Sequence, residues 1–260
     1  MPKDEQVTIA ELNRVFSAQV PDGRTIAREV IDESLADHPS ASWNKKHFSH
    51  LVEKLQVTAY ERYLQYERDA WRVAFASVFG PKLRVCSTPE KVSGVIGDYF
   101  FTLDRFFLSR TQSRRSRAGT AFEVVLGELF KKLEYPFDPQ PEIDGNPDFV
   151  FPSVSLYKKN AQDAIVFTAK RTLRERWRQI VTEGAKGLGF FLATIDENVS
   201  AAQIGEMKGA RIQLVVPSRL KGSVQQYASA ANVITFEDFL EDHLDPKMTK
   251  WKKHGDISNK

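Results

Sequence analysis

Hydrophobic residues recur every three to four positions through the N-terminal part of the chain, which is the spacing of one face of a helix. In the run FSHLVEKLQVTAYERYLQYERDAWRVAFASVF, this spacing places six residues on one side of a helix: Leu51, Leu55, Tyr60, Tyr63, Leu64 and Trp71. The segments PDGR and DHPSAS interrupt the pattern with turn-forming and helix-capping residues. The pattern therefore predicts an N-terminal helical region over residues 1–90.

Two further helical patterns follow, with an arginine-rich segment between them. The stretch KVSGVIGDYFFTLDRFFL is apolar enough to be a buried helix, and AGTAFEVVLGELFKKLE has the spacing of an amphipathic helix. The polar segment SRTQSRRSRAG between them is interpreted as a loop.

From Asp148 onward, short runs of branched and aromatic residues alternate with helical stretches. The runs are DFVF, AIVFTA, GFFLATI, RIQLVV and NVITF. Strands that alternate with helices are typical of an α/β unit. The predicted fold class is therefore α/β, with a mixed β-sheet flanked by helices over residues 91–260.

The composition is that of an ordinary globular protein. Of the 260 residues, 42% are hydrophobic and 27% are charged. No segment of roughly 18 apolar residues occurs, and acidic residues interrupt the N-terminus where a signal peptide would be apolar. We therefore expect a cytoplasmic protein with no membrane association. The single cysteine excludes an intramolecular disulfide and a multi-cysteine zinc site.

The net charge of +3 is too small to indicate nucleic-acid binding, but the arginines are clustered. One cluster lies in SRTQSRRSRAG and the other in RTLRERWRQ. Arginine presents a planar fork of donors that matches phosphate groups and the edge of guanine. The clusters therefore favour a DNA-binding surface, whereas the lysine-rich C-terminal tail is interpreted as a solvated end.

Asp148 and Lys170 are the first candidates for catalysis. If DFVFP and DAIVFTAK are antiparallel neighbours, Asp148 at the start of one strand lies beside Lys170 at the end of the other. In phosphodiester hydrolysis a carboxylate can hold Mg²⁺, and a lysine can stabilise developing negative charge. The common nuclease pattern places a second acid two residues before the lysine, but that residue here is Thr168.

Two other residues could supply the second acid. Glu183 lies on the helix predicted after Lys170, where its side chain could reach back towards the metal. Glu123 lies on the amphipathic helix that precedes the predicted hairpin. A purely structural interpretation remains open, in which Asp148 is a turn residue, Lys170 a charge at a strand end and Glu183 half of a surface ion pair.

Three motifs in order carry a resemblance to a known family. RRSRAGTAFE, PDFVFP and TAKRTLRERWRQI resemble the catalytic core of EcoRII-type restriction endonucleases, a branch of the PD-(D/E)xK nucleases related to enzymes that cut CCGG, CCNGG and CCWGG sites. The resemblance covers roughly residues 90–240. It implies a second acid displaced onto the following helix, and the intervals here are 170 − 148 = 22 and 183 − 170 = 13. It therefore implies that Asp148 and Glu183 bind Mg²⁺, that Lys170 is catalytic, and that Glu123 is an additional active-site acid.

The resemblance also implies roles in DNA recognition. Arg174, Glu175 and Arg176 match a triplet that reads adjacent C:G pairs, since arginine donates to guanine and a carboxylate accepts from cytosine. Gln112 matches a position that contacts the rest of the site. Arg114, Arg115 and Arg117 either bind phosphates or support the fold.

The predicted activity is that of a type II restriction endonuclease that cleaves double-stranded DNA at a short palindrome containing CC:GG. The expected partners are DNA, a second subunit in a homodimer or a tetramer, and a methyltransferase that protects host DNA. Some relatives flip bases against an aromatic wall, for which Trp43, Tyr60 and Trp71 are candidates, although core packing is the alternative for each. Two other functions remain open: a non-specific or repair nuclease of the same fold, and a non-catalytic DNA-binding module.

Overall fold

The structure is a computed structural model that describes residues 3–38, 40–143, 145–173 and 190–257. Contacts between residues divide the chain into two compact units that are not continuous in sequence. The first unit comprises residues 1–30 and 58–121, and the second comprises residues 31–57 and 122–260. The boundaries of these units differ from the predicted boundary between a helical region and a nuclease core at residue 90, which stays a prediction.

The N-terminal part of the chain is helical, as its hydrophobic spacing predicts. Helices α1 to α6 comprise Lys3–Gln19, Gly23–Leu35, Ala41–Lys46, Phe48–Arg84, Pro89–Asp98 and Phe100–Lys132. Of the six residues predicted to share one side of α4, Leu51, Leu55 and Tyr63 are buried. The other three, Tyr60, Leu64 and Trp71, are partly buried. Within the described ranges, no helix is long and apolar enough to cross a membrane.

The arginine-rich segment predicted as a loop is part of a helix. Helix α6 continues without a break from Phe100 to Lys132 and therefore includes the sequence SRTQSRRSRAG. Arginine and glutamine, which make up five of the eleven residues of this segment, have helix propensities close to that of alanine, so its polarity alone does not end a helix. The loop prediction was wrong because it treated polarity as evidence of irregular structure.

The second unit contains a six-stranded sheet. Strands β1 to β6 comprise Asp138–Pro139, Phe149–Phe151, Ile165–Ala169, Phe190–Ala193, Ile212–Val216 and Val233–Thr235. They are ordered β1-β2-β3-β4-β5-β6. The β1–β2 and β2–β3 pairs are antiparallel, whereas the β3–β4, β4–β5 and β5–β6 pairs are parallel, so the predicted mixed sheet is confirmed.

Short helices lie between the strands and after β6. They are α7 (Val154–Lys159), α8 (Ala201–Gly209), α9 (Ser218–Ser223), α10 (Gln225–Ala228), α11 (Phe236–Asp238), a π-helix (Phe239–Leu244) and α12 (Asp245–His254). Helix α7 lies in the connection between β2 and β3. The antiparallel pairing is unaffected, because a connection of this length allows the chain to reverse.

Aromatic packing fixes β2 and β3 against the C-terminal half of α6. The fully buried ring of Phe130 lies between 5.1 and 5.8 Å from the rings of Phe149, Phe151 and Phe167. Such edge-to-face pairs add to the free energy gained by burying the apolar area itself. The strands that carry the candidate active site therefore rest on a rigid layer.

Candidate active site

Asp148 and Lys170 lie in direct contact at one end of the β2–β3 pair. The register pairs Phe149 with Phe167, so the residue before β2 and the residue after β3 come together at the same end of the pair. Lys170 Nζ is 2.9 Å from Asp148 Oδ2 and 3.2 Å from Oδ1. The juxtaposition inferred from the sequence is present.

The protein holds the Asp148 carboxylate in one orientation. Asp148 is buried, and its Oδ2 accepts hydrogen bonds from the Ala169 backbone N–H at 2.7 Å and from Thr168 Oγ1 at 3.1 Å. Thr168 occupies the position where the common nuclease pattern has an acid. Here its hydroxyl supports Asp148 instead, which a carboxylate at 168 could do only if it were protonated.

Lys170 combines a fixed backbone with an accessible side chain. Its backbone N–H donates to the carbonyl of Ala193 at 2.9 Å, which joins the carboxyl ends of β3 and β4. One third of its side chain is exposed, compared with 8% for Asp148. The ammonium group therefore lies between a buried carboxylate and the solvent, where a phosphate group could reach it.

Gln140 connects Glu123 to Asp148. Its backbone N–H donates to the Asp148 carbonyl at 2.8 Å, and its side-chain Nε2 donates to Glu123 Oε1 at 2.8 Å. Gln140 directly follows β1 and has a positive φ of 45°. In this conformation its backbone N–H points to Asp148 and its side chain points to Glu123. Sequence reasoning missed Gln140, although its position between two prolines in DPQPE indicates a turn.

The remaining residues of the predicted catalytic and recognition set are Glu183, Arg174, Glu175 and Arg176, and they lie outside the described residues. Within the described ranges, no group of three acidic, histidine or cysteine residues could hold a metal ion. The donor chemistry at Asp148 nevertheless fits Mg²⁺, because a carboxylate is a preferred ligand and its Oδ1 accepts only the longer of the two bonds from Lys170. Glu183 would have to complete the site.

The chain that leads from Lys170 towards Arg174 is anchored by residues after β4. The Leu173 backbone N–H donates to Asp196 Oδ2 at 2.9 Å, and the Thr194 hydroxyl donates to the Arg171 carbonyl at 3.3 Å. Asp196 was not identified from the sequence, where a single acid after a strand is an ordinary feature. Its contacts fix the backbone immediately before the predicted recognition triplet.

Arg114 forms an ion pair within the first unit. Arg114 Nε donates to Glu67 Oε2 at 2.5 Å, and Tyr63 donates its hydroxyl to Glu67 Oε1 at 2.9 Å. Glu67 is buried, and burial together with the Glu67 carboxylate raises the pKa of Tyr63 to about 12. These contacts favour the fold-supporting role of Arg114. Gln112 is exposed on α6, and the side chain of Arg115 lies outside the described part of that helix.

Two of the three candidate aromatic residues pack against other rings of the protein. Trp43 is stacked between His38 and His47, with ring centroids 3.9 and 4.1 Å apart. Trp71 contacts the rings of Phe75, Phe106 and Phe107. Both arrangements favour packing over a surface for flipped bases. The third candidate, Tyr60, is half-buried beside an apolar cluster.

Comparison with known proteins gives consistent matches. The family model described as EcoRII C terminal matches residues 90–240. Type II restriction enzyme SsoII of Shigella sonnei and type II restriction enzyme EcoRII of Escherichia coli are each 34% identical to the chain, over 150 and 161 residues. These alignments cover 53% and 58% of this chain but 48% and 39% of the two relatives, so the chain spans half or less of the relatives it matches.

Solved structures show the same fold. Metal-depleted Ecl18kI in complex with uncleaved, modified DNA matches with a TM-score of 0.78 and 22% identity, over 98% of this chain and 87% of that one. PspGI in complex with substrate DNA matches with a TM-score of 0.63 and 21% identity, over 89% of this chain and 94% of that one. The predicted restriction-endonuclease-like fold is therefore confirmed.

Proposed function

Because the chain belongs to the EcoRII C-terminal family, whose matched relatives are type II restriction enzymes, we propose that it cleaves double-stranded DNA at a short palindrome containing CC:GG. The reaction would be Mg²⁺-dependent hydrolysis of one phosphodiester bond in each strand. The observation that carries the proposal is the contact between buried Asp148 and partly exposed Lys170 at the ends of two paired strands.

Asp148 would bind the metal and Lys170 would stabilise charge on the phosphate. Mg²⁺, when bound, polarises the phosphate and lowers the pKa of a coordinated water. The bonds from Thr168 and Ala169 hold the Asp148 carboxylate in place before any substrate arrives, which is the preorganisation that electrostatic catalysis requires. Lys170 would leave its bond to Asp148 when a phosphate oxygen offers a better-placed negative charge.

Glu183 would be the second metal ligand and Glu123 an additional acid near the site. The two hydrogen bonds made by Gln140 support a role for Glu123, because they fix the Glu123 carboxylate relative to the backbone of Asp148. A second carboxylate matters because Mg²⁺ is usually held by one or two protein carboxylates together with phosphate oxygens and water.

Recognition of CC:GG would rest on Arg174, Glu175 and Arg176, with Gln112 contacting the remainder of the site. The anchored backbone of residues 171–173 supports this assignment, because base readout needs donors held at fixed positions. A two-fold symmetric site is met most simply by two subunits, so we expect a homodimer, with a tetramer as the alternative. A host that carries this activity would also need a methyltransferase for the same site.

A digest of sequenced plasmid and phage DNA, with and without Mg²⁺, tests the proposal when the product ends are sequenced. The proposal predicts discrete Mg²⁺-dependent fragments whose ends share one CC:GG palindrome. A smear would favour a non-specific or repair nuclease of the same fold. Binding without cleavage in unmethylated DNA, unaffected by Mg²⁺, would favour a DNA-binding module.

A further inference from the structure

Three arginines lie on one side of helix α6 within the first unit. Arg110, Arg114 and Arg117 follow one another at intervals of four and three residues, and such intervals return to the same side of a helix. Their shared position does not give them the same role, because the three guanidinium groups have different contacts.

The first two arginines are held by contacts inside the unit. The guanidinium group of Arg110 lies 5.0 Å from the centre of the Phe16 ring, and it donates to Asn13 Oδ1 at 3.0 Å. Arg114 is paired with the buried carboxylate of Glu67. Both side chains therefore contribute to the packing of α6 against its neighbouring helices.

Arg117 differs from both. Its side chain is exposed, and its guanidinium carbon lies 4.9 Å from the centre of the Tyr63 ring. Among the residues that the structure describes, no carboxylate forms an ion pair with Arg117. Tyr63 brings no negative charge at neutral pH, because burial raises its pKa to about 12. Arg117 therefore presents an uncompensated positive charge, with several N–H donors, to the solvent.

The ring beneath Arg117 is itself fixed. Only 5% of Tyr63 is exposed, and the residue packs in a cluster with Ile26 and Ala59. Its hydroxyl donates to Glu67 Oε1 at 2.9 Å, while the other oxygen of Glu67 accepts from Arg114. An arginine that stacks on such a ring is oriented before any ligand arrives, so it loses less conformational freedom when an anion binds.

We propose that Arg117 binds a phosphate group of the DNA backbone and that Tyr63 is the residue that positions it. The planar guanidinium group matches the geometry of a phosphate and can donate two parallel hydrogen bonds to it. A contact of this kind fixes the orientation of a protein on the duplex and carries no sequence information. The inference rests on the proposed function only in that DNA is the ligand.

The salt dependence of DNA affinity tests the contact. Fluorescence anisotropy in a chelator, between roughly 50 and 200 mM salt, measures the affinity for labelled duplexes with and without a CC:GG palindrome, because cleavage is then suppressed. Each neutralised phosphate adds about 0.9 to the slope of log affinity against log salt. Arg117→Gln should therefore lower the slope by about 1, and its affinity should fall about threefold to fourfold less than that of the wild-type protein over this range. Both duplexes should show the same change.

Two variants serve as controls for charge and position. Arg117→Lys keeps the positive charge and should retain most of the slope. Arg211→Gln removes an exposed arginine at the amino end of β5, whereas Lys170 follows the carboxyl end of β3 in the same parallel part of the sheet. It should leave the slope unchanged. Circular dichroism verifies that every variant is folded, and glutamine keeps the helix propensity of the arginine it replaces.

A pair of substitutions tests the positioning role of Tyr63. Tyr63→Leu removes the ring and should weaken DNA binding, whereas Tyr63→Phe keeps the ring and should bind as the wild-type protein does. The effect of Tyr63→Leu should disappear in an Arg117→Gln background, because the ring acts through Arg117. An effect that persists undiminished in that background would overturn the role of Tyr63.

The contact and the nuclease activity can fail separately. An Arg117→Gln protein with the wild-type slope, or one that loses affinity only for the CC:GG duplex, would overturn the phosphate contact even if the protein cleaves DNA. A slope that depends on Arg117 in a protein that cuts no DNA would support the contact and remove the nuclease. A wild-type protein without affinity for either duplex would overturn the contact.

Discussion

The hydrogen bonds to Asp148 predict that two substitutions at this position differ strongly in stability. Asp148→Ala leaves the buried Ala169 N–H and Thr168 hydroxyl without their acceptor. An unsatisfied buried group costs about 1–3 kcal/mol, so we expect the free energy of unfolding to fall by roughly 2–4 kcal/mol once relief of carboxylate desolvation is included. Asp148→Asn keeps an oxygen for both donors.

The asparagine variant loses mainly its charge-assisted bond with Lys170. Because one third of the Lys170 side chain is exposed, the ammonium group can turn to water, and we expect a loss of only about 1 kcal/mol. Both variants should nevertheless lose DNA cleavage, since neither can supply a charged ligand to Mg²⁺. Asp148→Asn is therefore the better test of catalysis, because loss of activity cannot then be attributed to unfolding.

Urea unfolding of the two variants and the wild-type protein measures the difference. The slopes of the transitions must agree before the free energies are compared. If the alanine and asparagine variants unfold with the same free energy to within roughly 0.5 kcal/mol, the contacts do not hold the carboxylate as described.

Three further outcomes follow from the described contacts. Gln140→Ala should slow single-turnover cleavage on the order of tenfold while changing stability by less than about 1 kcal/mol, because it removes one hydrogen bond to half-buried Glu123 from an exposed position. An unchanged rate would show that this hydrogen bond does not matter for cleavage. Arg114→Ala should lower the unfolding free energy by about 1–3 kcal/mol, because the buried Glu67 carboxylate loses its cationic partner. This loss is smaller than for a fully buried pair, since the Arg114 side chain is partly solvated. The salt dependence of DNA affinity should stay unchanged. A smaller salt slope without destabilisation would instead indicate a phosphate contact. Burial lowers the pKa of His243 below its usual 6.5, so the stability that the neutral side chain contributes is present above that pH and is lost as the pH falls below it. On acidification, the melting temperature of His243→Gln should therefore decline less than that of the wild-type protein. Equal declines would contradict this.

The sheet could be predicted from the sequence because its strands are short apolar runs with clear boundaries. The pairing of β2 with β3, and with it the meeting of Asp148 and Lys170, followed from the positions of the two residues at opposite ends of such runs. The helical spacing that identified the buried positions of α4 was equally informative.

Other contacts between residues far apart in sequence were not predictable. Nothing in the local pattern indicates that Arg114 pairs with Glu67, 47 positions earlier, or that Asp196 accepts from the backbone of Leu173. The role of Thr168 was also missed, because its hydroxyl acts through a cross-strand contact that the missing acid alone does not reveal. Helix α6 was divided because arginine-rich sequence is polar without opposing helix formation.

The most direct test of the central claim is a time course of plasmid cleavage by the wild-type protein and Asp148→Asn in Mg²⁺ and in a chelator. The account predicts that the wild-type protein converts supercoiled plasmid to discrete linear fragments in Mg²⁺ only, and that the folded Asp148→Asn protein leaves the plasmid intact. Fragments produced at the same rate by Asp148→Asn, or by the wild-type protein in the chelator, would contradict the claim that Asp148 and a bound divalent metal carry the reaction.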